Sequence, residues 1–294
     1  MRILCFMKKE RESWILVVLL LLLLPYLITV VVLGRRACPV NREQTVEDYV
    51  AGVAASQISW EYSKETIKAQ VVLARTNLSV KSEKERKEIL EETAAFFKGK
   101  HMNLEMLEKF HIFQEAARET SGEVLLTTQG EIKEAPYHGI SSGKTRDGAD
   151  VMGESYGYIT SVESAKDRDS PLYVEGCYFS FQELEKRMKK FYGGFTFGET
   201  KVVEVKQTDG AGYVLELQIG NQMIQGEKIR EILKLPSSCF SVQCSEEKVR
   251  FLCKGKGHGV GLSQYGAEQM ALEGKEYKEI LTYFFPEMQI SEKE

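Results

Sequence analysis

Residues 257–267 read GHGVGLSQYGA, four glycines in eleven residues carrying one imidazole (His258), one hydroxyl (Ser263), one amide (Gln264) and one phenol (Tyr265). Glycine has no Cβ, so its backbone enters positive φ readily and can come close to a ligand. Polar groups of four kinds held this way suit many directed hydrogen bonds, as recognition of a sugar requires. The same spacing also fits a tight turn between a strand and a helix, and spacing alone leaves both readings open. A phosphate cradle is excluded. The G-x-G-x-x-G register is missing, and no strand–turn–helix–strand unit with a downstream acid surrounds the segment.

The elements that must position these groups are short and mixed. Residues 63–78 predict a helix, with Ser63 as its cap and Glu65 and Thr66 in its first turn. Ile67, Val71, Ala74 and Leu78 recur at helical spacing and are expected to face the core. Lys68 and Arg75, seven apart, then share a different face, where ordinary solvated charges are the usual case. Residues 81–119, rich in Lys, Glu, Leu and Ala, read as two helices broken near Gly99. His101 and His111 lie in this stretch without any motif and read as surface or packing residues. Residues 123–128 and 131–136, around Gly130, read as a hairpin leading into His138. Residues 181–191 read as an amphipathic helix, and residues 201–219 and 222–224 alternate as strands around turn glycines. Residues 267–273 and 277–285 are expected to end the chain as helices. Helices and short strands in irregular order give an expected fold class of α+β, a single irregular mixed domain over residues 46–290 with a substrate cleft.

The chain has 294 residues and a net charge of −4, with no basic cluster interleaved with aromatics, so nucleic acid is not an expected partner. Residues 14–33 form an apolar run without a charge, long enough to cross a bilayer as one helix at about 1.5 Å per residue. The run exceeds a usual signal-peptide core, and Gly34-Arg35-Arg36 is a poor cleavage site, so an uncleaved anchor is expected. It would separate a cytoplasmic tail (1–13) from a linker (34–45) and the folded domain. Basic residues flank both ends and favour a cytoplasmic N-terminus only slightly. The cysteine spacing is not a compact zinc signature. Residues 238–244 and 248–253 bracket Ser245-Glu246-Glu247 like a hairpin, in which Cys239 would face Cys253. A structural pair and two free buried thiols are both compatible with that arrangement.

Four segments together resemble the stage II sporulation protein D family, the SpoIID/LytB domain. VEDYVAGVAASQISWEYSKETIKAQVVLARTNL (46–78) matches its helix ending in K-A-Q-x-x-x-A-R-T, with Lys68, Gln70 and Arg75. GHGVGLSQYGA matches its G-H-G-V-G-x-S-Q-Y-G-A. YHGISSGKT (137–145), holding Tyr137, His138, Ser142 and Lys144, matches its H-x-S-x-G-G-x-T with departures. IREILKLPSSCF (229–240) is similar to its R-x-x-L-x-L-P-S segment. The resemblance implies a lytic transglycosylase acting outside the membrane on peptidoglycan strands stripped of stem peptides. For the LytB branch it implies an enhancer of a cell-wall amidase, and thus an amidase and other engulfment proteins as partners. It places Gln57, Lys68, Gln70 and Arg75 at catalytic positions. It places Tyr137, His138, Ser142, Lys144, His258, Ser263, Gln264 and Tyr265 at substrate-binding ones, all converging on one cleft. Some clostridial members are described as binding zinc through a His and cysteines near the third of these motifs, H-x-S-x-G-G-x-T. Here His138 remains, but Ser141 and Ser142 stand where such a cysteine would be, so neither a metal nor another cofactor is expected.

One departure bears directly on mechanism. The family's single catalytic glutamate lies eleven residues before the Lys of K-A-Q. Counting back from Lys68 reaches Gln57, so the family's Ser-Glu-Met-Pro has become Ser56-Gln57-Ile58-Ser59. In the lytic reaction muramic acid O6 attacks its own C1. One acid protonates the leaving oxygen and then takes the O6 proton. An amide can donate a hydrogen bond but cannot exchange that proton. Positioned acid–base catalysis is worth about 10²–10⁴-fold. Expected, therefore, is a membrane-anchored glycan-binding protein with reduced or absent cleavage. The alternatives are an active enzyme with its acid relocated to Glu61, one turn after Gln57 if the segment is helical, or an amidase activator.

Overall fold

The computed structural model describes residues 23–26, 28, 31, 45–100 and 103–292. Among them no helix is long and apolar enough to cross a membrane; the anchor expected over 14–33 lies largely outside the described residues, as do the tail and, except for Thr45, the linker. Every element below belongs to the compact unit Tyr49–Glu294.

Helix α1 (Val50–Gln57) is built of small and apolar residues and buries Val50, Val53, Ala54 and Ala55. It stops at Gln57 because Ile58 turns extended (φ −133°, ψ 161°). Helix α2 (Lys64–Val80) starts after Ser63, as the capping pattern predicts, although the Ser63 hydroxyl bonds side chains rather than a first-turn amide. Ile67, Val71, Ala74 and Leu78 are no more than 1% exposed, as their spacing demands. The helix is enclosed on its other sides too, because Ala69, Val72 and Leu73 are equally buried. Its polar residues Thr66, Gln70, Arg75 and Thr76 therefore lie inside and must find partners there.

Helices α3 (Glu83–Lys98) and α4 (Leu104–Glu119) form the expected pair with the break at Gly99. Their aromatic faces close over Trp60, whose ring centroid lies 5.8–6.3 Å from those of Phe96, Phe97, Phe110 and Phe113.

Strand β1 (Glu123–Thr127) forms where expected, but its partner is not residues 131–136. It pairs antiparallel with β10 (Met288–Glu292), a C-terminal strand the sequence reading had not placed after its last helix. Only the bridge Leu126–Ile132 remains of the anticipated hairpin. Asn77 explains the difference. Its side-chain amide donates to the Ala135 carbonyl (3.0 Å) and accepts from the Ala135 N–H (2.7 Å), so the α2 helix takes the place of a neighbouring strand. Pro136 adds no donor.

Four small sheets result among the described residues. Strand β2 (Tyr137–His138) pairs in parallel with β9 (Leu262–Ser263). Strand β8 (Lys248–Lys254) lies between β3 (Val174–Ser180) and β7 (Phe240–Cys244). Strand β5 (Val214–Ile219) lies between β4 (Val203–Thr208) and β6 (Gln222–Gln225). Short α5 (Gly148–Met152) follows β2, while α6 (Phe181–Lys189) and α7 (Gly226–Leu233) cover the last two sheets and share a core with them that includes Leu184, Leu217, Ile229 and Phe251. Helices α8 (Gln264–Leu272) and α9 (Tyr277–Phe284) pack with α2 and β1 in a second core around Leu73, Leu125, Leu262 and Phe284. The architecture is α+β.

The β7–β8 hairpin forms one residue away from the anticipated register. Phe240, not Cys239, stands opposite Cys253, and Cys177, Cys239, Cys244 and Cys253 are all free thiols. Side chains alternate across a strand, so this register puts Phe240 and Val242 on the apolar face with Phe251 and Cys253, and a one-residue slip would turn them out. Cys239 meets the Gly212 carbonyl instead, at 3.2 Å.

Candidate functional site

The glycine-rich turn lies between β8 and β9 and is pressed against residues 136–140. Gly261 sits at φ +72°, where a Cβ would come within 2.1 Å of the Pro136 carbonyl oxygen. Only glycine lets the two backbones approach this closely and still enter the β2–β9 ladder.

Val260 fixes both histidines. His138 Nδ1 lies 3.1 Å from the Val260 carbonyl, which can only accept, so this nitrogen carries the proton. The Val260 N–H donates to His258 Nδ1 at 3.1 Å, so a neutral His258 carries its proton on Nε2. The two rings lie 5.8 Å apart. His138 is buried and its Nε2 has no hydrogen-bond partner among the described residues. Burial above all, and then His258, pushes His138 down to about 3, and burial lowers His258 as well. Both rings are neutral near pH 7. The turn is braced from behind by Arg146, 2% exposed. Its guanidinium donates to Asp209 (2.5 Å), to Glu227 (2.7 Å) and to the His258 carbonyl (3.1 Å), and lies over the Tyr213 ring.

Ser263 ends β9 and caps α8. Its hydroxyl accepts from the Gly266 N–H (3.2 Å) and donates to Asp167 (2.9 Å). Asp167 also accepts the Ser141 N–H at 2.8 Å, and burial raises its carboxyl above the usual range.

From there α8 runs along α2. Gln264 and Glu268 are one turn apart on α8, as Thr66 and Gln70 are on α2, and the two pairs meet. Gln264 Nε2 donates to the Gln57 backbone carbonyl (2.9 Å) and to Gln70 Oε1 (3.1 Å). Gln70 Nε2 donates to Gln57 Oε1 (3.0 Å). Glu268 Oε2 accepts from Ser63 N (2.9 Å), Ser63 Oγ (2.9 Å) and Thr66 Oγ1 (2.7 Å). Beside it, burial and then the charges of Glu268 and Asp167 push the Tyr62 hydroxyl up to about 12. Tyr265 is tied through its N–H to the Gly139 carbonyl (3.0 Å). Past the end of α1 opens a groove of about 320 Å³ lined by Ile58, Ser59, Trp60, Glu61, Lys100 and Lys109.

Gln57, Gln70 and Gln264 thus touch one another, and Ser263, His138, His258, Tyr137 and Tyr265 follow along the β2–β9 ladder and its turn. Other expected members lie elsewhere. Arg75, 3% exposed, donates to the carbonyls of Ala117 and Glu123, so it ties α4 and β1 to α2 rather than facing a cleft. Lys68 pairs with Glu65 (2.8 Å) and Glu119 (3.0 Å). Ser142 Oγ donates to the Ala211 carbonyl (2.7 Å), a structural bond, and Lys144 bridges through its backbone to Glu163. Glu61 is not one helical turn from Gln57, because α1 has ended. It is 73% exposed and paired with Lys109 at 2.6 Å. Tyr62, Asp167, Glu268 and Arg146 were not anticipated. Only Glu268, four residues after Gln264 on a helix, had a readable signal. Among the described residues no group of three or more His, Cys, Asp and Glu side chains is placed to hold a metal ion.

Residues 36–126 match the family model SpoIID, described as Stage II sporulation protein. The chain is 28% identical over 260 residues to Stage II sporulation protein D of Bacillus amyloliquefaciens, covering 84% of this chain and 74% of that one. It is 29% identical over 262 residues to the protein of the same description from Bacillus subtilis (strain 168), covering 84% and 74%. An uncharacterised protein of Brachyspira hyodysenteriae is 25% identical over 273 residues, covering 90% and 69%.

Proposed function

We propose, for a chain whose matches support the SpoIID family and with it a sporulation role related to the cell wall, that it binds peptidoglycan glycan strands from a membrane-anchored position and cleaves them little or not at all. The observation that carries this reading is the chemistry at position 57. The residue there is an amide held by two other amides, with no carboxyl group among its hydrogen-bond partners in the described residues. The nearby carboxylates have other work. Glu268 anchors the start of α2, Asp167 is fully buried, and Glu61 is paired with Lys109. Binding needs hydrogen-bonding groups and an aromatic surface. Gln57, Tyr265 and the groove at Trp60 offer both.

The test uses full-length protein and glycan strands stripped of stem peptides. The strands should retain the protein in a sedimentation assay, and their digest should show no increase in 1,6-anhydro-muramic ends. Brisk release of such ends by the native chain would overturn the reading. A partner amidase is the further occupant that the family implies, and stimulation of a purified cell-wall amidase by added protein would reveal it.

A further inference from the structure

The three contacting glutamines have a direction, and it can be deduced from one atom. The Gln57 backbone carbonyl can only accept, so the Gln264 atom 2.9 Å from it is the amide nitrogen. That nitrogen also lies 3.1 Å from the Gln70 side chain, whose facing atom must then be the oxygen. The other end of the Gln70 amide is its nitrogen, 3.0 Å from the Gln57 side chain, whose facing atom must again be the oxygen. What remains on Gln57 is its –NH₂ group, which makes no hydrogen bond among the described residues. Gln70 is fully buried and Gln264 9% exposed, whereas Gln57 is half-buried, so the chain of bonds runs from the interior to the surface. A flip of any one amide would set nitrogen against nitrogen or oxygen against oxygen inside the protein. An unmade buried hydrogen bond is costly, and even a concerted flip of all three would set the Gln264 oxygen against the Gln57 backbone carbonyl, so the polarity is fixed.

We propose that Gln57 is a hydrogen-bond donor of fixed polarity, with Gln70 and Gln264 as its positioning residues, and that this selects a ligand presenting an acceptor oxygen. The proposal rests on the glycan-binding reading and deepens it: the oxygen met by Gln57 is an ether, ring or amide-carbonyl oxygen of the sugar chain, not a hydroxyl acting as donor. The amide is more than a lost acid. An ionised glutamate in its place would keep the Gln70 bond on one oxygen and present a second acceptor to the ligand. The substitution therefore reverses what the site recognises.

Two measurements test this on the full-length chain in mild detergent. The first titrates a linear N-acetylglucosamine oligomer into native protein, Gln57→Met and Gln57→Glu at neutral pH. Methionine keeps the length and removes the donor. The expected order of affinity is native, then Met weaker by about 3–10-fold, then Glu weaker by about 10-fold or more. Equal affinities, or tighter binding by the Glu variant, overturn the proposal. The second follows hydrogen exchange of side-chain amides in ligand-free protein labelled with ¹⁵N-glutamine. Gln70 and Gln264 should be protected and Gln57 should exchange freely. Gln57→Met, which removes the acceptor of the Gln70 nitrogen, should speed exchange at Gln70 while the backbone amides of α2 stay protected, which a merely structural loss would not do. Persistent protection of Gln70 in that variant overturns the relay. If the native chain does not bind the oligomer, the glycan reading falls, and the relay then stands or falls on the amide exchange.

Discussion

Gln57→Glu places an acid of nearly the same shape at the end of α1, and the structure sets how much rate it can supply. The new carboxylate would accept the Gln70 amide at about the present 3.0 Å and leave its other oxygen toward the ligand. A positioned acid is worth about 10²–10⁴-fold, or about 2.7–5.5 kcal/mol of barrier. The Gln70 bond works against part of that. A donor to the ionised carboxylate stabilises that form by about 1.5–3 kcal/mol, and the reaction begins from the protonated one. Half-burial of the position pushes the other way. The expected gain therefore lies at the low end, about 10²-fold in kcat, and is larger at pH 5 than at pH 7. Because the ionised form repels an acceptor oxygen, KM should rise together with kcat. The assay counts 1,6-anhydro-muramic ends by mass spectrometry on saturating stripped strands. A correctly folded Glu variant with no gain at either pH would refute the argument that the proton donor is what the native cleft lacks. Cleavage by the native chain that Glu61→Ala abolishes would refute it differently, since Glu61 would then have to leave Lys109 and reach the glycan.

Further outcomes follow from the same structure. Arg146→Met leaves buried Asp209 without its guanidinium, while Glu227 keeps Arg230, and should cost about 3–5 kcal/mol in urea unfolding, where a loss under about 1 kcal/mol would deny the brace behind His258. His138 has a folded value of about 3 against an ordinary 6.5, so the unfolded chain takes up its proton first as pH falls. Stability should be full above about pH 6.5 and decline toward pH 3, by up to about 1.4 kcal/mol per pH unit for this group, and His138→Asn should flatten that slope. Burial pushes the Cys239 thiol to about 11 and Cys253 to about 12, so both should resist alkylation at pH 8 in the native protein, yet react fully in denaturant without reductant. A Cys239–Cys253 cross-linked peptide would contradict the free thiols. Protease added to intact protoplasts should digest the folded unit and leave a protected N-terminal fragment; complete protection would reverse the proposed topology.

What could be read from sequence was what depends on local pattern. Helical spacing located α2 and its buried stripe, Gly99 marked the break between α3 and α4, and four motifs carried the resemblance, which implies a glutamate where this chain has Gln57. Partnership between distant segments was not readable. Residues 131–136 have the composition of a strand, but whether they pair with β1 depends on Asn77, far away on α2, taking their backbone bonds first. The motif residues show the same limit. Arg75 and Gln70 are both polar residues of one helix in one motif, and sequence gives them one role. Arg75 is turned to α4 and β1, where backbone carbonyls absorb its donors, while Gln70 is turned to α8, where Gln264 waits. Their separation of five positions amounts to about 500° of helical rotation, or 140° around the axis, which separates a structural tie from a site contact. Position 57 carries the point furthest. That it is a glutamine is plain in the sequence. That its nitrogen rather than its oxygen faces outward follows only from where the Gln57 carbonyl lies relative to Gln264, 207 residues later. Residue type determines what chemistry a position loses, and the direction of its hydrogen bonds determines what it can still recognise.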